Sequence, residues 1–249
     1  MVGIIAALVS FGVMALMSPV TDDTLLAVLV TLGVSYFLFN LFHFDGLLDT
    51  ADAFLLWAEP ERRLAILKDS RIGVFAFFAG FLYLALKIRL LVLIVSPFYP
   101  ILSFSRFSAD TFTLLGVLFF YPVTGRAAAA LIPCFSRPAR KEGLGSALSS
   151  YSVSAAAAGI VGAFVLSAVF TIIYQYSRAG GLPVFPGMLL VNLGALLFGV
   201  LIGGVGVGGL YKKRVGGFTG DALGAAVELG ELAHLAWMFI GLSVLEVIG

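Results

Sequence analysis

The chain has 249 residues, of which 61% are hydrophobic and only 12% charged, with a net charge of +1 and a mean hydropathy of +1.09. A soluble domain is about 25% charged and about half apolar, so this composition excludes one and indicates an all-α polytopic integral membrane protein, with the lipid bilayer as its first partner. The near-neutral balance argues against nucleic acid as a partner, and the single cysteine, Cys134, excludes an internal disulfide or a thiolate metal cluster within one chain.

In chain order, apolar runs cover about 3–20, 25–44, 73–95, 111–135, 152–176, 184–208 and 232–248. Each is near the length that crosses a bilayer. The chain therefore reads as one membrane-embedded domain, residues 1–249, with about seven transmembrane helices and further helices at the cytosolic surface. Nothing basic precedes the first run, which argues against a cleaved signal peptide. Of the 29 charged residues, 20 fall in segments 45–72, 137–142 and 211–231, and these hold 10 of the 15 Lys and Arg. With seven alternating spans all three segments share a side, and the excess of cations assigns that side to the cytosol.

The stretch Phe42-His43-Phe44-Asp45-Gly46-Leu47-Leu48-Asp49-Thr50-Ala51-Asp52 follows directly on the second run. Asp45, Asp49 and Asp52 fall at i, i+4 and i+7, an arc of roughly 60° on a helix. Carboxylates so close repel one another unless a cation holds them. The guest that suits hard oxygen donors is a divalent metal, Mg²⁺ above all, which completes its shell with substrate phosphates. The alternative is a water-facing acidic face between two spans. Asp45 is placed to cap a short helix that runs to about Ala58, and Pro60 to open a second one. That helix ends near Lys68-Asp69-Ser70-Arg71-Ile72-Gly73. Lys68 and Arg71, at the mouth of the next span, suit a substrate with several phosphates. Arg62 and Arg63 read as anchors at the membrane surface, and Asp69 as the partner of a neighbouring cation.

Two cations sit where water is scarce: Lys87, midway along the third run, and Arg126, inside Thr124-Gly125-Arg126-Ala127. A buried cation in a bilayer costs at least ~2.5 kcal/mol on insertion scales, so it lines a polar cavity or finds a partner, unless it snorkels to the interface. Arg126 is the stronger candidate for contact with substrate. The last informative stretch, 216–231, joins a glycine-rich turn to a helix start, where free N–H groups bind anions. Asp221 and Glu228, at i and i+7, share a face as a second acidic cluster, with Glu231 beside them. Gly220, Gly224 and Gly230 allow close approach of a ligand or of another backbone, and helix packing in membranes needs the same residues. His234 reads as structural.

These motifs resemble the signature of the cobalamin synthase family, the adenosylcobinamide-GDP ribazoletransferases of the vitamin B12 pathway. The resemblance rests on residues 43–52, then 68–73, Gly125-Arg126, Arg140-Lys141-Glu142-Gly143-Leu144-Gly145 and 216–232, in the family's order. It covers the chain to about Leu235. Ala53 stands where the family has a glycine, and the chain begins where the family already has a membrane helix, without the upstream Thr-Arg-Leu-Pro-like stretch. The resemblance implies a transferase of the prokaryotic cytoplasmic (inner) membrane, its active site facing the cytosol. Such an enzyme joins adenosylcobinamide-GDP to α-ribazole or α-ribazole 5′-phosphate, releases GMP and requires Mg²⁺. Asp45 and Asp49 then serve as metal ligands, and Asp52 as a third ligand or the base. Lys68, Arg71 and Arg126 bind the non-bridging oxygens, Asp221 serves a second metal or the incoming nucleoside, and His43 orients Asp45 or moves a proton. The residues alone leave open a transporter, for which intramembrane charges are equally expected, although the acidic cluster sits at the end of a span instead of midway. They also leave open, by analogy, an enzyme like the CDP-alcohol phosphotransferases, and a homo-oligomer or association with other enzymes of the pathway.

Overall fold

In hydrocarbon every backbone N–H and C=O must be paired within the protein, and a helix does this within one segment. The computed structural model describes residues 1–69, 71–99, 109–140, 152–178 and 186–248, and nearly all of them are helical. Their helices are α1 (Val2–Met17), α2 (Thr24–Ser35), α3 (Leu41–Leu55), α4 (Pro60–Ile66), α5 (Val74–Val95), α6 (Ala109–Phe135), α7 (Val153–Arg178), α8 (Pro186–Val200), α9 (Gly208–Val215) and α10 (Gly220–Ile248). A π-helical turn, Tyr36–Asn40, joins α2 to α3, and another, Leu201–Val207, joins α8 to α9. Among the described residues the only β-pairing is an isolated bridge between Pro138 and Phe218.

Six stretches are long and apolar enough to cross a bilayer: Thr24–Leu55, Val74–Phe98, Leu114–Phe135, Val153–Ile173, Gly187–Val215 and Gly220–Glu246. The apolar α1 is shorter, at 16 residues. The all-α polytopic reading holds, with two boundaries corrected. Asp45 caps nothing: it lies inside α3, whose N-cap is Asn40. A π turn joins α2 to α3 there without a break in the helix. The acidic residues therefore ride on the end of a continuous 32-residue span. Likewise α10 begins at Gly220, well before the apolar run near 232. Pro60 does stand in the first turn of α4, where its missing N–H costs nothing.

Packing centres on α10, which lies against α3, α6 and α8. Small residues on α10, Ala222, Ala225 and Ala226, are buried together with Leu47, Tyr211 and Phe218. Further along, Leu235 and Met238 close on Leu114, Leu118 and Leu91. Large apolar side chains such as Phe37, Phe42, Phe77 and Phe81 point outward, as expected where lipid replaces water.

The charge-rich segments meet at one end of this bundle. Phe218 N donates to the Arg137 carbonyl (2.9 Å) and Ala139 N to the Phe218 carbonyl (2.8 Å). Arg140 Nη2 donates to the Leu64 carbonyl of α4 at 2.6 Å. Arg63, which reads in the sequence as a surface anchor, is instead buried. Its Nη1 donates to the Ala53 carbonyl (2.7 Å), one that the end of α3 leaves unpaired, and its Nε to that of Ala58 (2.9 Å) in the turn before α4. Residues 141–151, with part of the Arg140–Gly145 motif, lie outside the described residues.

Candidate active site

Two glycines bring the acidic residues together. A Cβ on Gly46 of α3 would stand 2.8 Å from the Asp221 carbonyl oxygen, and one on Gly224 of α10 would stand 2.8 Å from that of His43. The backbones touch there, and no side chain fits between them. Asp221, in the first turn of α10, therefore lies beside the turn of α3 that carries Asp45 and Asp49. Asp45 is exposed, while Asp49 and Asp221 are half-buried. Asp49 lies within electrostatic range of Asp45, Asp221, Asp52 and Asp69. Asp221 accepts a hydrogen bond from Thr219 Oγ1 at 3.0 Å, and the guanidinium of Arg140 acts on it from the neighbouring segment. Arg140 belongs to a quoted motif but carries no role in the sequence reading, because nothing local shows that its segment returns to Asp221.

Asp52, the third residue of the arc, is committed elsewhere. Its Oδ2 accepts from Gly73 N (2.7 Å) and its Oδ1 from Ala76 N (2.9 Å), at the start of α5. Lys68 is exposed. Arg71 is exposed too and pairs with Asp69, with Nη2–Oδ2 at 2.5 Å and Nε–Oδ1 at 2.9 Å. Asp69 thus has the cation partner that its position predicts. Hydrogen bonds from Arg71 hold the Asp69 carboxyl at about 2, below its usual 3.8. His43, in the first turn of α3, is half-buried, and its Nδ1 has no hydrogen-bond partner among the described residues.

Two turns further along α10 the charges are closed on themselves. Glu228 is fully buried and accepts from Tyr36 Oη (2.6 Å), Asn40 Nδ2 (2.8 Å) and Tyr83 Oη. Lys87 Nζ, also fully buried, lies 2.6 Å from Glu231 and 3.3 Å from Glu228. Arg126 donates Nη1 to Glu231, and Nη2 to Asn40 Oδ1 at 2.6 Å. Two cations and two carboxylates cancel, as the interior of a membrane requires. Lys87 thus finds the partner that its place in the membrane requires and does not snorkel. Arg126, read from the sequence as a candidate for contact with substrate, pairs here with Glu231 and Asn40. Glu228 shares a face with Asp221 but sits about 10 Å deeper, at 1.5 Å of rise per residue, and forms no acidic cluster with it. Asn40, Tyr36 and Tyr83 were legible only as polar groups within apolar runs. His234 is buried, with Nδ1 2.9 Å from Thr124 Oγ1, in keeping with a structural role.

Among the described residues no three His, Cys, Asp or Glu side chains converge as a ready metal cage. Magnesium does not need one: it takes one or two carboxylates, and water and substrate phosphate fill the rest of its shell. Asp45 and Asp49, one turn apart and without an ion-pair partner among the described residues, fit that pattern. Asp52 differs from them, since both of its oxygens accept from backbone amides.

The fold and site define a polytopic helical membrane protein with an acidic rim at one end, in which Arg140 acts on Asp221, and a neutral ion network beneath it. Residues 1–239 match the family described as cobalamin-5-phosphate synthase. The chain belongs to that family, and it is a membrane-embedded transferase of cobalamin biosynthesis. It is 30% identical to the adenosylcobinamide-GDP ribazoletransferase of Kosmotoga olearia, over 89% of this chain and 79% of that one. The enzyme of the same name from Fervidobacterium nodosum is 31% identical, over 85% and 72% of the two chains, and that of Brucella anthropi 30%, over 96% and 83%. No solved structure matches the chain.

Proposed function

We propose that this chain transfers the cobinamide phosphate of adenosylcobinamide-GDP to α-ribazole or α-ribazole 5′-phosphate, releasing GMP and forming adenosylcobalamin or its 5′-phosphate. The name shared by its relatives supports the substrate pair. The observation that supports the reading is the rim itself, where Asp45, Asp49 and Asp221 stand together, with Arg140 acting on Asp221 and Asp69, the neighbour of Lys68 and partner of Arg71, within electrostatic range of Asp49. Such a set is stable in the presence of a ligand that brings its own positive charge to the carboxylates and negative charge to the cations.

In this reaction a ribose hydroxyl oxygen attacks the phosphorus on the cobinamide side of the diphosphate. The bond from that phosphorus to the bridging oxygen breaks, and its electron pair leaves with GMP. Asp221, across from the Asp45–Asp49 pair, receives the hydroxyl proton. Asp45 and Asp49 hold Mg²⁺, which when bound neutralises the diphosphate and stabilises the leaving oxygen. Lys68 and Arg71 bind non-bridging oxygens, Arg71 exchanging the exposed Asp69 carboxylate for phosphate. His43, whose Nδ1 has no hydrogen-bond partner among the described residues, is the remaining proton carrier. The rim faces the cytosol, because Lys and Arg gather at that end.

Purified protein given both substrates and Mg²⁺ should release GMP in step with formation of the joined product. Binding or transport of the corrinoid with the diphosphate intact would overturn the proposal in favour of a transporter.

A further inference from the structure

We propose that Asp52 is a positioning residue: from α3 it caps α5, and so holds the loop bearing Lys68 and Arg71 against the acidic rim. The inference rests on the transfer reaction proposed above. The first turn of a helix leaves backbone N–H groups without internal partners. At α5 the N-cap residue is Gly73, which has no side chain to supply an acceptor. The acceptor comes from Asp52, 21 residues earlier, whose two oxygens take the Gly73 and Ala76 amides at 2.7 and 2.9 Å. A carboxylate at this position also faces the positive end of the helix dipole. Glycine is what lets it in, since a Cβ on Gly73 would lie 2.6 and 2.7 Å from the two carboxylate oxygens.

At its other end the segment is tied to α3 by Arg63, through the Ala53 carbonyl. Between the two ties, Lys68 N donates to the Ala65 carbonyl (3.1 Å) and Asp69 N to that of Ile66 (2.9 Å), and Arg71 folds back on Asp69. The chain from Ala53 to Ala76 thus returns to α3 twice, and those returns hold both ends of the segment that carries the two cations. Asp69 is carried close enough for Asp49 to feel its charge. Helical spacing puts Asp52 in line with Asp45 and Asp49, but its hydrogen bonds separate it from them.

The test compares Asp52→Asn and Asp52→Ala with wild type in the full-length protein in detergent. It reads kcat, KM for adenosylcobinamide-GDP, the Mg²⁺ requirement, and hydrogen exchange at the start of α5. Asn retains one acceptor oxygen and Ala none. Positioning predicts that Ala raises KM about tenfold with kcat nearly unchanged, the pattern of lost uniform binding. Asn should restore part of the loss, the Mg²⁺ requirement should stay at the wild-type level, and exchange should rise from wild type through Asn to Ala. A kcat collapse in Asn with normal KM would overturn the inference in favour of a base, and a raised Mg²⁺ requirement in favour of a ligand. If Ala does not fold, the Asn variant decides alone. If wild type releases no GMP, the transfer reading fails, and the exchange series still tests the cap: equal exchange in wild type and Asn sinks it.

Discussion

The rim and the buried network are built on the same helices but balance their charge in opposite ways. On α10, Asp221 lies at the rim and Glu228 two turns deeper; α3 carries Asp45 and Asp49, and Asn40 stands at its start. In the interior every carboxylate has a cation or a hydroxyl against it, and Lys87, Arg126, Glu228 and Glu231 sum to zero. At the rim Arg140 acts on Asp221, while the charges that act on Asp49 are other carboxylates. Charge that is cancelled within the chain holds helices together, and charge that is not cancelled is available to a ligand. The comparison predicts that substitutions below should cost folding, and those above should cost chemistry.

The largest effect belongs to the interior. Lys87→Met removes the cation between two fully buried carboxylates, and breaking a buried pair in this way costs about 3–5 kcal/mol. That is a large part of the stability of an ordinary domain. Thermal unfolding in detergent should fall sharply or folded protein should be lost, and adding Glu231→Gln should restore part of it, because the uncompensated charge is reduced. A stable and active Lys87→Met protein would erase the distinction between the two regions.

At the rim the order reverses. Asp221→Asn should leave the unfolding temperature near wild type and reduce turnover by about 10²–10⁴, the usual contribution of a positioned acid or base. Asp45→Asn and Asp49→Asn should each reduce it by about 10²–10³, comparable to losing one preorganised transition-state interaction. They should also raise the Mg²⁺ needed for half-maximal GMP release, since an amide oxygen is the weaker ligand for a hard dication. Wild-type turnover and Mg²⁺ dependence in both would remove the metal from the proposal. Normal turnover in Asp221→Asn would leave its stretch to helix packing alone.

Much of this was legible in the sequence because it depends on local sums. Hydropathy locates the membrane spans, Pro60 marks the start of α4, and the spacing of Asp45 and Asp49 puts them on one face. The pairing of Asp69 with Arg71 spans only two residues. What was not legible depends on contacts far apart in the chain. Glu228 reads as a charge in a water-facing segment until Lys87, 141 residues away, is known to neutralise it. Arg126 reads as a candidate for contact with substrate, and nothing local shows that Glu231 and Asn40 reach it from other helices. The arc of Asp45, Asp49 and Asp52 is real as helical geometry. Nothing in its spacing shows that α5 returns to take both oxygens of Asp52.

The smallest effect belongs to Asp69, whose pair with Arg71 is exposed, the Arg71 side chain keeping 86% of its accessible surface. Exposed pairs contribute little to stability, so Asp69→Asn should leave the unfolding temperature unchanged. Because Arg71 holds the folded carboxyl down at about 2, against 3.8 ordinarily, whatever the pair contributes is present above the unfolded value and lost only as pH falls through about 2. The pair therefore does not titrate between pH 5 and 9, and a pH dependence of turnover in that window has to come from other groups. What Asp69→Asn does change is competition. With the carboxylate gone, Arg71 is free for phosphate, and KM for adenosylcobinamide-GDP should stay level or fall by about twofold, while Arg71→Ala should raise it. A rise in KM for Asp69→Asn as large as that for Asp52→Ala would show that Asp69 orders the loop and does not merely hold Arg71 until substrate arrives. The neutralised part of the molecule would then extend from the interior into the rim itself.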